Sequence, residues 1–255
     1  VDVLGALVHV LRRFSASDDY ARASMVEVFG EAALNDADTY LADNFSSGVF
    51  LSRPDGTYRF AAFPRVAQIG PLQGVAAADF DGDGNADLCA TQNADIAVPS
   101  FDGGVGILLL GDGQGAFEAL EPAESGIVLP GFGRALAVLD PTERGRPGLF
   151  FTRQGGESGY LANQAPHAKW LKIRLQGDAA NRDAVGARVD FEISNGKRMS
   201  FEVGLGGGWL TQSSPAAFLG LAEGERIAEA VVTWPDGKRS RAANPPDEGL
   251  WLIER

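Results

Sequence analysis

Residues 79–87 read D-F-D-G-D-G-N-A-D. Four carboxylates, Asp79, Asp81, Asp83 and Asp87, fall within one short stretch, and at that density they repel one another unless a cation lies among them. Hard cations such as calcium take six to eight oxygens from carboxylates, carbonyls and water. Ligands at odd positions, with Gly82 and Gly84 between them, let the backbone curl around such an ion. An EF-hand needs a Glu at the twelfth position, and Ala90 stands there. An ion enclosed by Asp oxygens also leaves little room for an activated water, so a structural site is expected rather than a catalytic one. Without an ion, the same string would be an Asp/Gly-rich turn.

Other residues with chemical capacity read as structural. His9 and His167 are far apart, with no Cys or paired carboxylates nearby. Ser213 and Ser214 follow a glycine run that is not a nucleophile elbow. Gly204–Trp209 is glycine-rich, but no Lys follows it and no helix is expected after it, so a turn or bulge is favoured over a phosphate loop. Asp140 and Glu143 read as a degenerate copy of the acidic loop rather than an acid/base pair. Trp209, Trp234 and Trp251 suit either a sugar platform or a β-domain core, and the core is favoured. Cys89 is the single cysteine; no intrachain disulfide can form, and a buried thiol is expected.

The acidic loop needs strands to hold it. GVAAADF (Gly74–Phe80) precedes it and ADLCATQ (Ala86–Gln92) follows, and both read as strands. GVFLSRPDGTYRFAAF (Gly48–Phe63) and GILLLGDGQGAFEAL (Gly106–Leu120) each read as strand, turn and strand. The first hairpin is followed by the acidic loop and the second by GRALAVLDPTERGRPGLFFT (Gly133–Thr152), giving two four-strand units across residues 46–165. In that alignment Val138 takes the place of Asp79 and Gly148 that of Asp87, so one ion is expected, not two.

Residues 1–45 are helical in pattern. A first helix covers VDVLGALVHVLRRF. A second opens at a capping box formed by Ser15 and Asp18 and runs to about Phe29, where Gly30 stops it. The first helix is too short to span a membrane, and packing on the β domain or a partner is favoured over lying on a membrane surface. Residues 166–255 read as a further β domain, with clear alternation in ARVDFEI and AVVTW.

The D-x-D-x-D-G-x-x-D-L string and the G-D-G-x-G-x-F hairpin resemble the FG-GAP/VCBS repeat of integrin-type propellers and bacterial extracellular proteins. The resemblance implies a structural calcium held by Asp79, Asp81, Asp83, the Asn85 carbonyl and Asp87. In the last third, N-x-x-x-x-G-A-x-V, G-G-G-x-L-x-Q-S, F-x-G-L and V-x-W-P-D-G occur in order and resemble the ASPIC/UnbV domain, which commonly follows FG-GAP repeats in cartilage acidic protein-like chains. The resemblance implies an all-β protein with a short N-terminal helical segment, a partial β-propeller of about two blades and a C-terminal β-sandwich-like domain. It also implies a non-catalytic protein outside the cytoplasm, periplasmic or extracellular. A closed propeller has at least four blades, so two leave open sheet edges. The expectation is either a piece of a longer protein or a subunit whose edge another chain covers; Val1 in place of Met fits a processed or truncated product.

Composition agrees with these classes. The chain has 255 residues, 45% hydrophobic and 22% charged, enough for a sizeable core. A net charge of −12 argues against nucleic acid or an anionic membrane as partner. Two functions follow as expectations: a calcium-stabilised scaffold or protein-interaction subunit, and, as the alternative, a carbohydrate- or matrix-binding module. An enzyme is not expected.

Overall fold

The computed structural model describes residues 13–14, 16–92, 104–166 and 169–255. The expected first helix with His9, the Ser15 cap and His167 lie outside the described residues, Arg13 and Phe14 excepted. Two compact units are present, residues 1–45 and residues 46–255.

Among the described residues of the first unit, three short helices follow one another: α1 (Ser17–Arg22), α2 (Met25–Phe29) and α3 (Glu31–Asn35). The single helix expected through Phe29 is broken because Ser24 adopts an extended conformation and caps α2. Its hydroxyl accepts the Glu27 N–H at 3.3 Å, and the Glu27 carboxylate accepts the Ser24 N–H at 2.7 Å. Gly30, at φ 84°, ends α2 as expected. Helix stops at Asn35, short of residue 45.

The second unit is mostly β, built from small sheets, none of which closes among the described residues. β1 (Gly48–Ser52) and β2 (Tyr58–Ala62) form a two-stranded sheet. β3 (Leu72–Ala78), β4 (Asp87–Gln92), β5 (Ile107–Gly111) and β6 (Phe117–Leu120) form a four-stranded antiparallel meander. β7 (Gly133–Leu139), β8 (Gly148–Arg153) and β9 (Gly159–Leu161) form a three-stranded one. The expected strand pairs are therefore present, but the grouping shifts by a hairpin. β4 pairs with β5, so the acidic loop belongs with the hairpin that follows it, not the one before. Between β2 and β3, a 3-10 turn at Arg65–Gln68 buries Ala67, and its Gln68 side chain bonds back to the Ser47 backbone at the base of the first hairpin.

β3 and β7 begin and end at one constant offset, as do β4 and β8, so the two strand pairs have the same lengths and spacing. The two sheets share a core in which Ala76, Cys89 and Leu108 meet Leu136, Val138 and Leu149. The other face of the meander buries Ile107, Leu109 and Ala90 under Phe63, Ala67 and Leu72. β3 and β7 approach so closely that a Cβ on Gly74 would lie 2.8 Å from the Leu136 nitrogen. Gly74→Ala should therefore cost about 1–3 kcal/mol by overpacking. A urea midpoint equal to that of the parent would contradict this contact.

The remaining strands make two sheets. β10 (Lys169–Gln176) lies between β13 (Ala216–Leu221) and β16 (Gly249–Glu254), with β16 parallel to it. β11 (Arg188–Ile193), β12 (Arg198–Glu202), β14 (Ile227–Thr233) and β15 (Arg239–Ala242) make the other, in the order β12-β11-β14-β15. Their inward residues form one core that includes Leu171, Ile173, Leu219 and Trp251 from the first sheet and Val189, Phe191 and Val232 from the second. Among the described residues, no strand of this region joins a sheet of residues 46–165.

Candidate metal centre

The acidic loop connects β3 to β4 across one edge of the meander. Gly82 at φ 85° and Gly84 at φ 78° supply the left-handed turns that fold it back, a conformation costly for residues with a Cβ. Asp79, 4% exposed, is tied by both oxygens: Oδ1 accepts the Gly82 N–H at 2.7 Å, and Oδ2 accepts the Gly84 N–H at 3.0 Å and the Gly220 N–H at 2.9 Å. Asp87 is fully buried and accepts the Phe80 N–H at 2.7 Å and the Gly111 N–H at 2.9 Å. Asp81 is exposed and lines a cavity of ≈ 810 Å³ between the meander and the three-stranded sheet, so the cluster has a solvent-open side there.

Carboxylate oxygens of Asp79, Asp81 and Asp87 all lie within 4.8 Å of one another. Calcium–oxygen distances of about 2.3–2.6 Å allow ligand oxygens about 5 Å apart on opposite sides of one ion, so these three fit a single hard cation. Asp83 and Asn85 do not join the cluster through their side chains. Asp83 accepts the Asn85 N–H at 2.6 Å and the Asn85 side-chain amide at 2.7 Å, and Asn85 Oδ1 accepts Lys197 Nζ at 2.7 Å.

The electrostatics point the same way. Burial pushes Asp79 up to about 7, against the pull of its three N–H donors, and the Asp87 charge adds to the rise. Burial likewise pushes Asp87 up to about 6, with the charges of Asp81 and Asp83 adding to it. Two desolvated carboxylates beside two others favour a cation or a proton. With oxygen donors and no His or Cys in the cluster, the cation suited to it is hard.

The loop between β7 and β8 repeats this backbone with different chemistry. Asp140, not Val138, is the counterpart of Asp79: each directly follows its strand, each is 4% exposed, and each accepts the N–H five residues on. Pro141 and Glu143 hide the correspondence at the level of residue types. Glu143 adopts φ 55° where Gly82 stands in the first loop, and Gly145, at φ 85°, matches Gly84. Thr142, Arg144 and Gly148 then replace the remaining carboxylates. A side chain at Gly148 would collide with the Tyr160 hydroxyl, which occupies the space. Asp140 is satisfied by Thr142 and Gly145, and the buried Lys172 donates to its carbonyl at 2.8 Å.

The other candidates resolve into structure. Of the four tryptophans, Trp170, Trp234 and Trp251 are buried, and Trp209 is 56% exposed. Ser213 and Ser214 cap the outer edge of β7: Val138 N–H donates to Ser213 Oγ at 3.0 Å, and Ser214 N–H to the Val138 carbonyl at 2.9 Å. Gly204–Trp209 forms a loop with a bridge between Gly208 and Thr211. Cys89 is fully buried, and burial pushes its thiol up to about 12, as an inert core residue requires. Sequence reasoning missed Gly220 and Lys197 as contacts of the acidic loop. The readable signal was Gly220 itself, a glycine inside a strand, which marks close backbone approach.

The last-third motifs have structural uses as well. The Asn181 side chain closes its loop by bonding both the N–H and the carbonyl of Val185, and Trp234 enters the core before the Pro235–Gly237 turn. No curated protein matches the chain. Residues 177–255 match the family model described as ASPIC and UnbV, and the C-terminal part of the chain carries that domain.

Proposed function

We propose that this chain is a non-catalytic β scaffold, stabilised by one calcium ion in the Asp79–Asp87 loop and acting outside the cytoplasm as a protein-interaction subunit. The observation that carries the reading is the convergence of Asp79, Asp81 and Asp87, two of them buried with no cationic side chain among the described residues bonded to them. The FG-GAP/VCBS reading of residues 46–165 is supported by the loop's place between adjacent antiparallel strands of a meander, and by its recurrence after β7. Asp83 and the Asn85 carbonyl complete the ligand set in that reading, with the Asn85 side chain staying on Lys197. Calcium sites of extracellular modules bind at about 0.1–1 mM, which fills them only where calcium is abundant; a single loop with one solvent-open side suits that class. The exposed Phe50 and Tyr58 on the first hairpin offer a partner an aromatic face. The alternative, a carbohydrate-binding module, draws on Trp209, the one exposed indole.

Thermal unfolding with and without a chelator tests the ion. A site at hundredfold excess over Kd adds about 2.7 kcal/mol, so chelation should lower Tm by several degrees. Asp81→Ala, an exposed change, should fold and lose that sensitivity. An unchanged parent melt under chelation would count against the site.

A further inference from the structure

We propose that the C-terminal domain is a working part of the cation site: Gly220 holds the Asp79–Asp87 loop in its binding form, and the bound cation in turn fastens β13 to the loop. This rests on the reading of that loop as a cation site. Gly220 lies inside β13, opposite Trp170 of β10. Its N–H reaches the same Asp79 oxygen that accepts from Gly84, and the contact is buried. The backbones touch here: a Cβ on Gly220 would collide with Gly82 and with the Asp79 carboxylate. Lys197, in the turn after β11, adds a second contact by donating to the Asp83 carbonyl at 3.2 Å and to Asn85 Oδ1. The same three-stranded sheet meets the second loop at its other side. Gly145 packs against the Trp170 carbonyl with the Gly249 carbonyl beside it, and Lys172 bonds the Asp140 carbonyl.

Besides the Ser213 and Ser214 bonds to Val138 ahead of β13, the domain therefore has two attachments of different kinds. One runs through carboxylates that a cation would order. The other runs through a loop in which a lysine and a tyrosine take the room, and no ion is needed. Removing the cation should loosen β13 and leave β16 seated. Linkage makes the effect reciprocal: whatever factor the cation adds to docking, docking adds to cation affinity.

The test uses the intact chain. Calcium calorimetry on the parent and on Gly220→Ala should show binding weakened about tenfold or more in the variant, within the usual range of coupled sites. Should that variant fail to fold, amide exchange on the parent carries the test. Calcium should slow exchange at residues 216–221 about tenfold while residues 249–254 change little. If the parent binds calcium but neither residues 216–221 nor the affinity of a folded Gly220→Ala variant responds, the coupling is wrong and the cation site stands. If calcium slows residues 249–254 as much as residues 216–221, the effect is global stabilisation and the coupling is likewise wrong. If the parent binds no calcium, the site itself fails and the coupling fails with it.

Discussion

Asp87→Ala in millimolar calcium at neutral pH should cost about 4 kcal/mol. Asp87 is fully buried, and its two oxygens satisfy the Phe80 and Gly111 N–H groups. Alanine orphans both donors, at about 1–3 kcal/mol each, and removes a cation ligand as well. In chelator the cost should be visibly smaller. There the parent bears the burial of an uncompensated charge, and alanine removes that burden together with the hydrogen bonds. Urea unfolding of parent and variant under both conditions reads the difference. Equal costs with and without calcium would mean that Asp87 serves the fold alone.

The calcium-free chain should lose stability as pH rises through 6–7. The folded values of Asp79 and Asp87, about 7 and about 6, lie above the ordinary carboxylate value of 3.8. For such groups the folded state binds protons more tightly than the unfolded one. The stabilisation is complete below about pH 4 and disappears as pH climbs past the folded values. For Asp79 the displacement is worth about 4 kcal/mol at most. Calcium reverses the trend, because it competes with those protons: its effect on Tm should be near zero at pH 5 and grow towards pH 8. Melts between pH 4.5 and 8, with chelator and with calcium, check both slopes. A calcium-free Tm that rises across this range would contradict the assignment of the two raised carboxylates.

The acidic loop and its flanking strands were legible because their signals are local: Asp at alternate positions, Gly at the left-handed turns, apolar runs on both sides. The last-third motifs were legible for the same reason, since Asn181 and the Pro235–Gly237 turn act within a few residues of themselves. Strand grouping was not legible. A strand's own sequence does not say which of its edges is occupied, and only the pairing of Leu88 with Leu109 places the second hairpin beside the loop. Asp140 was misaligned because its equivalence to Asp79 lies in hydrogen bonds rather than in neighbouring residue types. The break at Ser24 was readable as S-x-x-E before Phe29. Lys197 lies too far from the loop in sequence for any local pattern to join them.

Calcium titration of the intact chain by calorimetry tests the cation site most directly. One ion per chain should bind with Kd of about 0.1–1 mM, and Asp81→Ala should abolish the signal while the second loop contributes none. No binding at several millimolar calcium, or a second ion retained when Asp81 is replaced, would contradict a single cation held by Asp79, Asp81 and Asp87.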